Sequence, residues 1–393
     1  MAIPTRIDVS PFSASISLNT MFTGGMVNYI IETPNSVNYL FYIDENSNPA
    51  FKKSLDGGIT WGTSTSLKAC SATQISVWYD RWSGINADLI HAAYTDSTSD
   101  DVFYRNIDTT NADALSTEYT IFAGASTATG GALSISRMRG GNLICVGCID
   151  AGVELYSKKS TNIGANWSNI AAGYEANADL CIVMPGWGAD NQDAMMFYYD
   201  RSATEISVKY YDDSADSWSE TSIATSISLP DHSSATLGHM SATVDLTNSQ
   251  NLIVFWTAVD TANADLRCFK VTQSAQTETT SNVVLNSADD QGFCGISISQ
   301  TNIWYVFYCG KSDGSEVVPS NLNIYYKTSV DSGANWSAEI KLSNIPTSCY
   351  CLFTKPIHYK SVGFIRLYTN VQMGIYYYNA PLSIPHANYI LGI

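Results

Sequence analysis

The residues capable of chemistry in this 393-residue chain are few and dispersed. His91, His232, His239, His358 and His386 show no spacing suited to holding a metal. The nine cysteines are an odd number, and Cys145, Cys148, Cys181, Cys268, Cys294 and Cys309 lie inside apolar runs, where a thiol serves as a small hydrophobe. All nine are expected to be free. Cys145 and Cys148 have C-x-x-C spacing, but on a strand they point to opposite faces; Cys349 and Cys351 share a face without a second pair. No metal site and no cofactor is therefore expected. Asp44, Asp96, Asp150, Asp200 and Asp260 recur at the ends of apolar runs. As a ring of carboxylates they would suit calcium or a polar ligand, but Asp is also a common way to begin a turn, and that reading is preferred. Trp82 and Trp187, each followed by a small residue in a turn, are candidates to stack on sugar rings, with ordinary packing as the preferred alternative.

These residues are set on a repeated framework. An apolar and aromatic run ending in a turn residue recurs as NYLFYID, LIHAAYTD, NLICVGCID, AMMFYYD, LIVFWTAVD, IWYVFYCG and GFIRLYTN. From Asp44 to Asn370 the spacing averages about 54 residues. After each run comes a second strand containing Tyr, Lys or Arg, such as VFYRN, SVKYY or IYYKTS. Further candidate strands, such as ALSISRM and AEIKLS, precede and follow. Apolar residues at helical spacing never persist beyond a turn or two. Four strands per repeat, separated by Gly, Asn, Asp and Ser, predict an all-β chain forming one β-propeller of seven four-stranded blades. The expected division is a lead-in and closing strand over 1–27, blades over 28–380 and a tail over 381–393. Either Arg6–Ser10 or the tail could complete the last blade, and the N-terminal segment is preferred.

Three turns between third and fourth strands share a pattern. Ser54, Asp56, Gly58, Thr60 and Trp61 fit Ser-x-Asp-x-Gly-x-Thr-Trp throughout. Ser160, Asn162, Gly164 and Trp167 form a variant, as do Ser329, Asp331, Gly333 and Trp336, and a degenerate copy keeps Asp213 and Trp218. An Asp or Asn side chain can accept hydrogen bonds from its own turn, Gly permits positive φ, and Trp folds back onto the sheet. These segments resemble the Asp-box, or BNR repeat, of the sialidase-like β-propellers. Their expected role is structural.

The resemblance implies a sialidase type of chemistry: three arginines on a sialic acid carboxylate, a Tyr nucleophile assisted by Glu, and an Asp acid/base. That family has six blades and an Arg-Ile-Pro signature, whereas here Arg6 and Ile7 are followed by Asp8. Arg137 and Arg366, with Tyr368 on the face of Arg366, are the weak catalytic alternative. No Glu stands beside a plausible nucleophilic Tyr in a recognisable arrangement. The preferred function is a non-catalytic recognition or structural module that binds glycan or a partner protein, with an exo-sialidase or related glycoside hydrolase as the alternative.

A formal charge of −16 and a pI near 4.5 argue against nucleic acid, which needs clustered cations. No apolar stretch is long enough for a bilayer, and no basic segment followed by an apolar run marks a secretory signal. Charged residues make up only 14% of the chain, a composition that suits an extracellular surface. Synthesis in the cytoplasm without a signal peptide, followed by release on a bacteriophage virion as a tail or capsid-surface protein, reconciles these features. Other virion proteins and an oligomer within the larger assembly are then the expected partners.

Overall fold

In the computed structural model the described residues are 6–11, 30–79, 88–125, 132–149, 154–226, 240–299, 301–341 and 349–381, apart from short gaps; for 6–11 and 349–381 only the backbone pairing is described. Their regular structure is entirely β. Sheet 1 comprises Ile30–Glu32, Asn38–Ile43, Pro49–Ser54 and Thr65–Ser66. Sheet 2 comprises Ile75–Tyr79, Leu89–Asp96, Asp101–Asp108 and Tyr119–Phe122. Sheet 3 comprises Leu133–Arg137, Leu143–Ile149, Glu154–Ser160 and Ser168–Asn169. Sheet 4 comprises Ala178–Pro185, Ala194–Asp200, Glu205–Asp212 and Ser217–Ala224. Sheet 5 comprises Met240–Asp245, Gln250–Asp260, Asn263–Val271 and Gln276–Glu278. Sheet 6 comprises Gly292–Ser299, Trp304–Cys309, Ile324–Ser329 and Ile340–Lys341. Sheet 7 is built from Cys349–Thr354, Ser361–Asn370, Gln372–Pro381 and, as its outer strand, Arg6–Pro11.

Each sheet is an antiparallel meander, with one short parallel pairing of Ile357–His358 added at the edge of sheet 6, and successive sheets lie side by side through their first two strands, the arrangement of a β-propeller. The second strands explain the apolar runs. Sandwiched between neighbouring sheets, they must be apolar on both faces, and NYLFYI, LICVGCI and AMMFYYD are buried at every position. Third strands are mixed, and the described fourth strands are largely exposed or half-buried, so burial fades from the axis outward. Cys145 packs in the main apolar core and Cys148 in the separate cluster between sheets 3 and 4, on opposite faces of one strand. Cys70, Cys145, Cys148, Cys181, Cys268 and Cys294 are free thiols.

The blade count departs from the seven expected. Six sheets are blades with packed, described side chains, whereas sheet 7 is known by strand pairing alone. In that sheet Arg6 stands opposite Tyr378 and Ile7 opposite Tyr377. The tail from 382 onward lies outside the described residues, as does Trp82.

Candidate functional site

Strand register orients the sheets. In sheet 3 Arg137 pairs with Leu143, and Leu143 with Ser160, so the first-to-second turn and the Ser160 turn share one end. Ile149 pairs with Glu154 at the other end.

The three patterned turns share one hydrogen-bond plan. Ser54 Oγ donates to Asp56 Oδ1 (2.8 Å) and accepts from Gly58 N–H (2.8 Å), while the N–H and hydroxyl of Thr60 both donate to Asp56. Ser160 with Asn162 and Gly164, and Ser329 with Asp331 and Gly333, repeat it. Gly58, Gly164 and Gly333 sit at φ of 92°, 82° and 84°, where a Cβ is strained. The indole N–H of Trp61 and of Trp167 closes its turn onto the carbonyl of Gly58 or Gly164; Trp336 instead packs on Trp304. The degenerate fourth copy differs. There Asp212, not Asp213, accepts from the turn amides of Ser214 and Ala215. Asp213 accepts from Tyr211 Oη, and the Trp218 indole reaches Ser157 of sheet 3. Tyr211 and Ala215 stand here in place of the serine and the glycine, so the serine-centred plan has no donor and acceptor to form around.

Of the catalytic alternative, only Arg137 has a described side chain. Arg137 is buried, and its Nε donates to the Gly141 carbonyl within its own turn, at the end of the sheet that carries the Ser160 turn. The side chains of Arg366 and Tyr368 are not described; their backbones pair with Tyr376 and Gly374. Trp187 is held by packing: its indole donates to Asn251 in sheet 5, and Arg139 lies over its ring. Asp44 and Asp200 are turn formers that accept from amides two to four residues on. Among the described residues no group of acids, histidines and cysteines suits a metal ion.

A different set of residues recurs from sheet to sheet. On the second strand a Tyr hydroxyl reaches across the third strand to the fourth. Tyr94 donates to Glu118 (2.6 Å), Tyr198 to Glu220, Tyr308 to Glu339 (2.5 Å) and Tyr42 to Ser64 (2.6 Å). Between them a third-strand cation faces the acid. Arg105 lies 3.7 Å and Lys209 3.5 Å from their glutamates, and the Glu339 charge acts on Lys327. Burial first, and the glutamate second, push the Tyr94, Tyr198 and Tyr308 hydroxyls well above the ordinary phenol range. Such phenols are poor nucleophiles. A Tyr–Glu pair repeated in three sheets fastens strands together and marks no single sheet for catalysis.

Sheet 3 departs from the pattern of sheets 2, 4 and 6. Lys209 pairs with Met196 and Glu220, and Lys158 pairs correspondingly with Cys145 and Asn169. Two residues beyond Met196 stands Tyr198; two beyond Cys145 stands Gly147. The cation is kept, but Gly replaces the Tyr and Asn replaces the acid. A cleft of about 500 Å³ opens there, between Phe122–Ala125 at the edge of sheet 2 and Tyr156, Lys158, Asn169 and Tyr174 of sheet 3. It runs along the third strand toward Ile149, away from the Ser160 turn. The Tyr156 and Tyr174 rings meet edge to face at 5.3 Å, and both hydroxyls donate to Glu154, at 2.7 and 3.2 Å. Tyr174 is half-exposed. Aromatic rings beside a carboxylate, an amide and an ammonium can grip a polyhydroxylated ligand by stacking and hydrogen bonding.

Sequence reasoning missed both the Tyr–cation–acid set and the cleft. Matching the apolar runs by their last residue sets Asp150 against Asp200 and hides the slip that puts Gly147 in the place of Tyr198. Counting back from the turn would have found it, since Lys52, Lys158 and Lys327 each stand two residues before the turn serine.

No protein-family profile matches the sequence, and no curated protein matches it. Solved structures do resemble it in shape. The BP39L lectin from Burkholderia pseudomallei aligns at TM-score 0.62 and 13% identity, over 92% of this chain and 99% of its own. An ulvan lyase, a polysaccharide lyase solved bound to a saccharide repeat, aligns at TM-score 0.59 and 10% identity, over 92% and 94%. The Hadza microbial sialidase Hz136 aligns at only 0.47 and 15% identity, over 92% and 66%, too loose a likeness to bear on chemistry. At these identities the likeness concerns the fold alone, which is a β-propeller.

Proposed function

We propose that this chain is a glycan-recognition propeller whose saccharide site is the cleft between sheets 2 and 3. The carrying observation is that cleft itself: about 500 Å³, lined by Tyr156, Tyr174, Lys158 and Asn169, where sheets 2, 4 and 6 carry a Tyr and an acid of their own. Its volume falls within the range of small-ligand sites, and few but well-placed polar groups are typical of them. A lectin and a polysaccharide lyase on the same fold make saccharides the first class to test. The test is a glycan array with the full chain, followed by titration of any hit against Tyr174→Ala. Loss of binding with an unchanged melting temperature is expected. Binding indifferent to this change and to Tyr156→Ala, or no binding to any glycan, would sink the proposal.

Three finer readings accompany it. The patterned turns are Asp-boxes, as their shared hydrogen-bond plan suggests. Sheet 7 is a seventh blade, supported by its neighbours: its first strand lies beside sheet 6, and its second beside sheet 1. The module belongs on a bacteriophage particle, a reading that rests on the charge-poor composition and is tested by mass spectrometry of purified virions. The repeated Tyr–Glu pairs weigh against the hydrolase alternative, and turnover of a fluorogenic sialoside would reinstate it.

A further inference from the structure

We infer that the saccharide taken by this cleft carries a carboxylate on its ring, which pairs with Lys158 in place of the acid that sheet 3 lacks. The inference rests on the reading of the cleft as a saccharide site. It begins with the difference between two lysines at the same register position. Lys209 is almost wholly buried and has Glu175 at 3.0 Å, Glu220 at 3.5 Å and the Tyr174 carbonyl at 3.1 Å. Lys158 is half-buried, and among the described residues it has neither an ion pair nor a hydrogen-bond acceptor. Its one described contact is the Phe122 ring, whose centroid lies 5.2 Å from Nζ.

A cation over a partly exposed aromatic face is held more weakly than one in a hydrogen bond to a charged group. The ring contact therefore does not make good the missing acid. Burial without a nearby acid lowers the Lys158 pKa, so the ammonium is held at a cost that an anionic ligand would offset.

Sheet 3 lacks two groups that stand beside the cation elsewhere. In sheets 2, 4 and 6 the space beside the cation holds a hydroxyl-bearing ring and a carboxylate, Tyr94 with Glu118, Tyr198 with Glu220 and Tyr308 with Glu339. Gly147 and Asn169 supply neither. A hexuronate supplies both at once, a hydroxylated ring bearing a carboxylate. The cleft also has polarity along its length. Glu154, on the same strand face as Lys158 and about 13 Å away by strand rise, has a carboxylate suited to neutral hydroxyls and hostile to a second acid. The ligand's acid is thus placed at the Lys158 end and its uncharged sugars toward Glu154.

Titration of the full chain with three trisaccharides tests this: a hexuronate trimer, its methyl ester, and the corresponding neutral hexose. The expected result is about tenfold tighter binding of the free acid than of the ester, the worth of one charge-assisted hydrogen bond. The advantage should shrink as salt rises. Lys158→Gln should abolish it by weakening the acid alone. Asn169→Glu, which restores the missing carboxylate beside Lys158, should do the same while keeping the melting temperature. Equal binding of acid and ester, or a preference unchanged in both variants, overturns the inference and leaves the saccharide site standing. No binding of any trisaccharide or arrayed glycan overturns the site and the inference together.

Discussion

Sheets 3 and 4 are adjacent, share an apolar cluster and use the same strand register, yet one is closed on its leading side and the other open. In sheet 4, Tyr198, Lys209 and Glu220 fill the space toward sheet 3 and tie the strands together. In sheet 3 the same register positions hold Gly147 and Asn169, which bear neither ring nor acid, and a cleft lies beside Lys158 and Asn169. The framework tolerates this because its stability lies in the second strands, which are buried on both faces, and not in the outer clamp. A repeat fold can therefore turn one interface into a site by deletion rather than by addition.

The most severe way to break the comparison is to open the closed sheet. Tyr198 is fully buried, and Tyr198→Ala should cost about 4 kcal/mol in urea unfolding, because the cavity and a lost hydrogen bond act together. A cost below about 1 kcal/mol would show that the clamp is ornamental.

Acid should act next, at the inner part of the interface between sheets 2 and 3. His91 is fully buried, with Nδ1 2.7 Å from Tyr104 Oη, and burial first and the Arg137 charge second hold its pKa down to about 3. In the unfolded chain the imidazole protonates below about pH 6.5. Its contribution is therefore complete above that pH and is lost progressively as pH falls from 6.5 toward 3. Between pH 7.5 and pH 5 the loss should be about 2 kcal/mol by unfolding free energy. The His91→Gln variant should lack most of that slope, and an identical slope in both proteins would refute the assignment.

A gentler perturbation removes only the charge from sheet 4. With Glu220→Gln, Lys209 retains Glu175, so a cost of about 1 kcal/mol is expected by the same unfolding measurement. A much larger loss would mean that the two acids act as one unit. The smallest effect should come from sheet 3. A Cβ at Gly147 would meet the Leu133 and Ile149 side chains at 3.4 and 3.3 Å, a tight but yielding contact. Gly147→Ala should therefore change stability by no more than about 0.5 kcal/mol, since Ala also lowers the entropy of the unfolded chain. A cost above about 2 kcal/mol would show that glycine is demanded there by the backbone, and not merely permitted.

The parts of the molecule that follow from local rules were legible in the sequence. Ser54, Asp56 and Gly58 specify their turn almost without reference to the rest of the chain, and the apolar runs announce strands packed on both faces. Arg6–Ser10 was assignable to the last sheet because a meander left one strand short must borrow one. What was not legible depends on pairing across strands. Glu118 lies 24 residues from Tyr94 and Glu339 lies 31 from Tyr308, and only the register brings them together. Packing was the preferred reading of Trp187, but nothing local discloses that its partner is Asn251 in the next sheet. The cleft was the most hidden from a residue search, because Lys158 and Asn169 meet beside it only through the strand register.

The pairing of Arg6–Pro11 with Gln372–Pro381 also sets an order of events in time. A ribosome makes the first strand of that pair roughly 20–70 s before its partner, at the usual 5–20 residues per second. During that interval the early strand has no mate, and the growing row of sheets has an open flank at each end. Unpaired strands of this kind invite other chains to pair with them. Birth of the molecule is thus its most vulnerable period, and a folding helper that shields the N-terminal segment would be most useful before translation ends.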